Sequence, residues 1–432
     1  MSSSNSEAAF ERALRVSPGG VHSNIRYMDP RPLYFSRARG SRLWDLDGTE
    51  YLDCVVNFGA CILGHAHPKV VEAVRNQLES GLTCGAETEL SVKVSEKLSD
   101  MIPCAEMVRF ASTGTEAVMH CLMIARGYTG KDKILKIEGG FDGWYDSVLI
   151  STHPKVDDAG PEGSPRSTVD SGGLPKIAAQ NTIVVPYNNT EALATAVEKH
   201  RDELAAVIIE PVAFNMGCVI PRKGYLEFVR KITQENNVLL IFDEVITGFR
   251  LAPGGAQEHF GVTPDLATFA KALANGFPLS AVAGRRDIMM VSHPKGKVAY
   301  MGTYNGSQSS LAAALATLEI LEDGRPQAVL KKSTETLKSS FDEMREEMNI
   351  EACLNGLGGQ FQVYFTTTNT DDYRKVVAAD REKFLRFQKE MLRQHVLFMP
   401  ITLFHHGIST AHTDEDIESI LSAMRAALRA AG

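Results

Sequence analysis

Short apolar runs alternate with longer amphipathic stretches between about residues 69 and 320 of the chain. Six of these runs have the length and composition of strands, at residues 107–110, 133–137, 182–185, 206–209, 239–242 and 281–284. Strands that are apolar throughout and separated by helices are typical of a mostly parallel sheet covered on both faces. We therefore expect an α/β fold, and 432 residues leave room for more than one domain.

The two ends of the chain depart from this pattern. Residues 43–53 predict a hairpin, because Asp47-Gly48 is a strong tight-turn pair between two alternating segments. The last stretch is an amphipathic helix that begins with a capping-box pair, Thr413 and Asp416. We expect a large domain over residues 69–320 and a smaller α+β domain made by both chain ends, residues 1–68 and 321–432.

One long polar stretch, residues 153–180, is rich in glycine and proline and interrupts the alternation of strands and helices. Loops of this length inside a compact domain are uncommon and often act as lids. A disordered surface insertion is the alternative.

Charge and composition exclude several classes of partner. The chain has 45 basic and 53 acidic residues, and this formal charge of -8 gives no electrostatic reason to bind nucleic acid or an anionic membrane. Its start lacks the basic and apolar blocks of a signal peptide, and no apolar run approaches the ~20 residues of a membrane span.

The cysteines show neither a CxxC pair nor the spacing of a metal site, which indicates reduced thiols. They lie at positions 54, 61, 84, 104, 121, 218 and 353. We expect a cytoplasmic protein.

A first chemical motif is Ala111-Ser-Thr-Gly-Thr-Glu-Ala117, which follows the strand at 107–110 and opens a helix. Its small residues let backbone amides approach an anion, and the free N–H groups and dipole of a helix N-terminus favour negative charge there. The motif indicates a phosphate site. A plain helix cap with a small-residue turn is the alternative.

A second motif is the acidic pair Asp243-Glu244, which ends the apolar strand at 239–242. Open α/β sheets bind their ligands at the carboxyl ends of strands, and a carboxylate buried there requires a cationic or hydrogen-bonding partner. The protonated ring nitrogen of pyridoxal 5′-phosphate (PLP) would be such a partner, because that ring has to act as an electron sink. Taken alone, the pair could equally bind magnesium.

Two further residues join the phosphate motif and the acidic pair as candidates for chemistry. Lys271 follows an apolar, strand-like segment, where desolvation disfavours the ammonium form and makes a neutral amine available for imine chemistry. Phe141 lies on a Gly-rich turn after the strand at 133–137 and could stack on a planar ring. A lysine that reaches solvent and an ordinary aromatic turn are the alternatives. All four features together, in this order along the chain, indicate a PLP enzyme.

The chain resembles the class III aminotransferases of PLP fold type I, and within them the glutamate-1-semialdehyde 2,1-aminomutase branch. The resemblance runs from about Ser17 to the C-terminal helix. It is carried by these segments, Pro18-Gly-Gly-Val-His-Ser-Asn-Ile-Arg26, Gly64-His-Ala-His-Pro68, Val108-Arg-Phe110 with Thr113-Gly-Thr-Glu-Ala117, Phe242-Asp-Glu-Val-Ile-Thr-Gly-Phe-Arg250, Phe260-Gly-Val-Thr-Pro-Asp-Leu266 and Gly302-Thr303.

The resemblance implies a complete cofactor site. Lys271 would form a Schiff base with PLP and later move the proton at the substrate carbon, and Asp243 would pair with the ring nitrogen. Phe141 would stack on the ring, and Asn215 would contact the ring hydroxyl. Three residues would bind the phosphate, Thr113, Gly114 and Thr115.

The same resemblance implies how substrate and subunits are arranged. Ser23 and Arg26 match the positions that hold a substrate carboxylate, a role that suits guanidinium geometry. Thr303 would reach the phosphate of a neighbouring subunit, so the enzyme would be a homodimer with shared active sites.

Several positions depart from the aminomutase pattern. Phe58 stands where that pattern has a tryptophan, and Phe404 where it has a glutamate. The stacking turn reads Phe141-Asp-Gly-Trp144 instead of Tyr-His-Gly-His. We expect Phe58, Phe404 and Trp144 to make the substrate pocket more aromatic.

These departures predict an aminotransferase that moves the amino group of a carboxylate-bearing amine, such as a β-amino or aromatic amino acid, to a keto acid. The aminomutase reaction, an intramolecular transfer, is the first alternative, and another PLP reaction such as racemisation or decarboxylation is a further one. A non-catalytic relative or an oxidoreductase on a doubly wound sheet is the alternative from a different class. The absence of GxGxxG after the first strand counts against dinucleotide binding.

Overall fold

A computed structural model describes residues 4–82 and 85–432 of the chain. Its first elements are one helix and a small antiparallel sheet, α1 (Asn5–Leu14), β1 (Phe35–Arg39), β2 (Arg42–Asp45) and β3 (Glu50–Asp53). β2 and β3 pair antiparallel on either side of Gly48, whose φ of 86° lies in the region that favours glycine. The predicted hairpin is confirmed.

A seven-stranded sheet forms the centre of the molecule. After α2 (Pro68–Glu79) and α3 (Glu89–Met101), its strands are β4 (Met107–Ala111), β5 (Lys133–Ile137), β6 (Thr182–Val185), β7 (Leu204–Ile209), β8 (Leu239–Asp243), β9 (Leu266–Phe269) and β10 (Ser280–Gly284). Their order across the sheet is β4-β10-β9-β8-β7-β5-β6. β10 runs antiparallel to both neighbours, and the other neighbouring pairs are parallel. The mostly parallel α/β sheet is confirmed.

Helices cover both faces of this sheet. They are α4 (Gly114–Thr129), α5 (Thr190–His200), α6 (Tyr225–Glu235), α7 (Gly255–Phe260), α8 (Arg286–Met289) and α9 (Gln308–Leu321). Every residue of β7 and β8 is buried, because side chains on both faces of these strands pack under helices. Burial of one large aliphatic side chain contributes ~1.5–3 kcal/mol, so these strands are a rigid base for whatever lies at their ends.

The C-terminal part joins the N-terminal one. It contains α10 (Arg325–Glu347), β11 (Cys353–Leu357), β12 (Gln360–Tyr364), α11 (Tyr373–Val377), α12 (Arg381–Arg393), β13 (Val396–Leu397), β14 (His406–Gly407) and α13 (Asp414–Ala431). β13 pairs with β3, so both chain ends contribute to one sheet. This shared sheet supports the division into residues 69–320 and a smaller domain from both ends, which stays a prediction.

The predicted cap of the last helix is confirmed. Thr413 Oγ1 accepts a hydrogen bond from the Asp416 amide at 3.2 Å, and Asp416 Oδ2 accepts one from the Thr413 amide at 3.1 Å. Ile417, Ile420 and Met424 of α13 are buried, as the apolar stripe predicts.

The segment 153–180 is irregular but packed onto the rest of the molecule. The Thr168 carbonyl accepts a hydrogen bond from the Ser151 amide at 2.8 Å. At the start of α11, the Tyr373 hydroxyl donates to the Pro154 carbonyl at 2.8 Å and Arg374 Nη1 donates to the Gly160 carbonyl at 2.9 Å. The alternative of a disordered insertion is therefore wrong, and the lid role stays a prediction.

The structure also describes the cysteines and the longest apolar helices. Six cysteines are free thiols, and Cys84 lies outside the described residues. Within residues 4–82 and 85–432, no helix is long and apolar enough to cross a membrane.

Candidate active site

Five parallel strands end at one cavity of about 190 Å³. The loops after β4, β5, β7, β8 and β9 supply its walls, because the carboxyl ends of parallel strands meet at the same edge of a sheet. Seven residues predicted for the cofactor site line this cavity, Thr113, Gly114, Thr115, Phe141, Asn215, Asp243 and Lys271.

Lys271 lies just beyond β9 with φ at 45°, in the left-handed region that non-glycine residues rarely adopt. Burial lowers the pKa of its amine to about 8, and the neighbouring carboxylates of Glu210 and Asp243 oppose part of that shift. A lysine with such a pKa has an appreciable neutral fraction near neutral pH, which imine formation requires.

Asp243 ends β8 with a buried carboxyl group. Its Oδ1 accepts hydrogen bonds from the Val245 amide at 3.0 Å and from Thr268 Oγ1 at 3.1 Å. Burial raises the pKa of this carboxyl to about 7, and the nearby Asp142 carboxylate adds to the shift. A protonated nitrogen facing the cavity would reverse that rise, so the site fits a cationic ring atom.

The N-terminus of α4 forms the opposite wall. Thr113 Oγ1 accepts from the Glu116 amide at 3.2 Å, and Glu116 Oε2 accepts from the amides of Ser112 and Thr113 at 2.9 Å each. This capping box leaves the N–H groups of Gly114 and Thr115 for an anion. The predicted helix cap is thus present, and its geometry also fits a phosphate.

Phe141 and Trp144 lie on the turn that follows β5. Phe141 lines the cavity, whereas Trp144 is 57% exposed and its ring centroid is 6.1 Å from that of Phe141. The expectation that Trp144 makes the pocket more aromatic is therefore wrong. Gly143, with φ at 121°, turns the chain between them.

Two acids that line the cavity were missing from our expectations, Glu210 and Asp142. Glu210 follows β7 just as Asp243 ends β8, so the rule about strand-end acids applies to it equally. Asp142 Oδ2 lies 3.6 Å from Nζ of the fully buried Lys136. The sequence offered one signal for this acid. Lys136 lies inside the apolar strand 133–137, and a buried charge without a partner is costly, so an acid had to lie near it.

The expected substrate residues lie elsewhere. Arg26 and Phe58 line a second, mainly apolar cavity of about 290 Å³. Phe58 packs edge to face on Phe404, with ring centroids 5.5 Å apart. Ser23 is half-buried just before a short turn of helix and makes no side-chain cap bond there.

Thr303 is exposed and does not line the Lys271 cavity within the described part of this chain. The loop around it also exposes Met301 and Tyr304, at 81% and 68%.

Comparison with known proteins places this geometry in a family. The family model described as aminotransferase class-III matches residues 25–425. Glutamate-1-semialdehyde 2,1-aminomutase from Methanothrix thermoacetophila is 43% identical, over 99% of this chain and 97% of its own. The family contradicts the oxidoreductase alternative, and the name of this relative favours the aminomutase alternative over transfer to a keto acid.

Two solved structures share the fold. An omega-transaminase from Sphaerobacter thermophilus is 34% identical with a TM-score of 0.94, covering 99% of this chain and 98% of its own. A transaminase solved with PLP bound is 30% identical with a TM-score of 0.89, covering 98% and 97%. These are structures of fold type I, as expected. On the family match and the residues around the cavity, this chain belongs to the class III aminotransferases.

Proposed function

We propose that this chain transfers the amino group of a carboxylate-bearing amine, with PLP bound in the Lys271 cavity. The observation that carries the proposal is the convergence of a lysine of lowered pKa, a buried carboxyl, an aromatic ring and a helix N-terminus on one small cavity. These groups match the aldehyde, the ring nitrogen, the ring face and the phosphate of PLP. The solved relative with PLP bound supports the assignment.

Each residue then has a definite task. Lys271 would hold the cofactor covalently, Asp243 would pair with its ring nitrogen, Phe141 would cover its ring, and Asn215 would contact its hydroxyl group. Three residues at the start of α4 would bind the phosphate, Thr113, Gly114 and Thr115.

When bound, PLP supplies an electron sink for the bonds at the substrate carbon. The chain itself supplies proton transfer and electrostatics. The Lys271 amine would take the proton from the substrate carbon and return it, since a base of pKa near 8 suits both directions. The Asp243 carboxylate would keep the ring nitrogen protonated, and the buried strand ends around it would exclude water that weakens this pairing.

Our main proposal is transfer to a separate keto acid. Its support is the Phe58–Phe404 contact, which puts an aromatic pair at two positions where the aminomutase pattern has tryptophan and glutamate. An intramolecular transfer has to retain its diamine intermediate in a closed, polar pocket, whereas the mainly apolar cavity that Arg26 and Phe58 line suits release of one keto product and entry of another. The Sphaerobacter omega-transaminase is a relative of this kind.

A second candidate is the aminomutase reaction on glutamate 1-semialdehyde. The names of the curated relatives at about 40% identity favour it.

The purified protein is expected to absorb near 420 nm when PLP is added, under either candidate. Two activity assays then distinguish the candidates. Turnover of amino donors, including β-amino and aromatic amino acids, that depends on added pyruvate or 2-oxoglutarate supports the first candidate. Conversion of glutamate 1-semialdehyde to 5-aminolevulinate without any added keto acid contradicts it and supports the second.

The active unit we propose is a homodimer with shared sites. The exposed loop around Thr303 supports this, because it also exposes the large side chains of Met301 and Tyr304, which a partner subunit would cover. The partner subunit's loop would then bring Thr303 to the phosphate.

Arg26→Ala is expected to raise KM for carboxylate-bearing amines by roughly 10- to 150-fold, because a charge-assisted bidentate contact contributes about 1.5–3 kcal/mol. Arg26 is exposed and lines the apolar cavity, where a carboxylate could meet it. Simple amines that lack the carboxylate should be affected little. Paired steady-state kinetics on both kinds of amine measure the difference.

The matched control for that prediction is Arg39→Ala, at an exposed arginine of β1 that lines neither cavity. Equal changes in KM for amines with and without a carboxylate would show that Arg26 does not bind the substrate carboxylate.

A further inference from the structure

Glu210 connects two of the residues that face the cofactor cavity. It follows β7, is buried, and lines the cavity. Its Oε1 accepts a hydrogen bond from the Phe141 amide at 3.4 Å, and its Oε2 accepts one from Asn215 Nδ2 at 3.3 Å. One carboxyl group therefore holds both the ring-stacking turn and the side chain that faces the ring hydroxyl.

The charged groups around Glu210 come from several elements. Asp142 and Lys136 approach from β5 and its turn and pair with each other at 3.6 Å. Asp243 approaches from β8, Lys271 from beyond β9, and the side chains of Tyr187 and Cys218 are also close.

No ion pair joins Glu210 to a cation anywhere in residues 4–82 and 85–432. Burial and the carboxylates of Asp243 and Asp142 raise the pKa of Glu210 well above its usual value, and the charges of Lys271 and Lys136 and a hydrogen bond from Asn215 oppose part of this shift. Under the proposed function the Lys271 amine is engaged by PLP, and Lys136 lies 3.6 Å from Asp142. Glu210 is then left with two acidic neighbours and, among the described residues, no cation within ion-pair distance.

Resting on that proposed function, we propose that Glu210 is a positioning residue that carries a proton and fixes Phe141 and Asn215 against the cofactor. Both of its oxygens already accept hydrogen bonds. The proton of the acid adds no charge to a site that already holds Asp243.

A pair of substitutions tests both parts of this inference. Glu210→Gln keeps the size and the neutral state, and Asn215 can turn its amide so that Oδ1 accepts from the new Nε2. Glu210→Ala removes both hydrogen bonds. We expect Glu210→Ala to weaken PLP binding by roughly 10-fold or more, because the variant loses two hydrogen bonds of ordinary strength. We expect the PLP affinity of Glu210→Gln to stay within about threefold of the wild-type value.

The measurements are PLP titrations of the apoprotein and a pH titration of the absorbance near 420 nm of the holoenzyme. Glu210→Gln is expected to leave the midpoint of the pH titration unchanged, since it removes no charge. The control is Glu244→Gln, at a buried glutamate that accepts from the Ala256 amide at 2.6 Å and from Gln257 Nε2 at 2.9 Å and does not line the cavity. It should lower thermal stability without changing either titration.

Three outcomes would overturn the inference. A shift of the pH midpoint by about one unit in Glu210→Gln means that the acid is ionised. Wild-type PLP affinity in Glu210→Ala means that Glu210 does not position Phe141 and Asn215 for cofactor binding. Failure of the wild-type protein to bind PLP overturns the proposed function and this inference with it, and so differs from the first two results.

Discussion

Lys271→Ala is expected to abolish turnover, by at least ~10⁴-fold, while the protein still folds. The variant loses covalent attachment of the cofactor and the proton transfer at the substrate carbon, and general acid–base catalysis alone is worth ~10²–10⁴-fold. The side chain lines a cavity, so its removal leaves the core contacts of β9 in place. Turnover assays and circular dichroism measure the two parts of this prediction.

Borohydride reduction of the wild-type holoenzyme, followed by peptide mapping, gives an independent check. The label should be on Lys271. Lys136 is the internal comparison, because it is buried near the same cavity but donates hydrogen bonds to the carbonyls of Gly140 at 2.6 Å and Ile150 at 3.0 Å. Label on Lys136 or on any other lysine would show that the assignment of Lys271 is wrong.

Asp243→Asn is expected to retain part of the PLP and lose at least ~10²-fold in kcat, which is the usual cost of removing a preorganised electrostatic partner. An amide cannot keep the ring nitrogen protonated, although it can still accept from the Val245 amide and Thr268 Oγ1. The fold should therefore survive. Bound cofactor is measured by absorbance and kcat by steady-state kinetics.

Asp265→Asn is the matched control for this variant. Asp265 is also a buried acid, but it lies at the start of β9, away from the cavity, and pairs with Arg230 at 2.9 Å and Arg285 at 3.0 Å. Its substitution should reduce stability and leave kcat unchanged. Near wild-type kcat in a PLP-loaded Asp243→Asn variant would contradict the role of Asp243.

Much of the fold could be predicted because its signals are local. All six predicted strands of the large sheet are present, since a strand that packs under helices on both faces is mostly apolar. The hairpin at Gly48 and the cap at Thr413 follow from the conformation of a single turn. β9 was visible only as a strand-like run before Lys271.

The convergence of the cofactor residues was also predictable in outline. Lys271, Asp243 and Phe141 each follow a strand, and parallel strands bring such positions to one edge of the sheet. Glu210 and Asp142 were missed, because the importance of an acid depends on its burial and on the cations near it, which the order of residues does not reveal.

The sequence by itself therefore determined the fold class, the family and the lysine-centred cavity, since each depends on local patterns repeated along the chain. The tertiary structure alone decided the directions and distances of side chains. It exposes Trp144, places Arg26 and Phe58 at a separate cavity, and leaves Thr303 exposed. These features arise from contacts between segments far apart in the chain, and no single segment carries them.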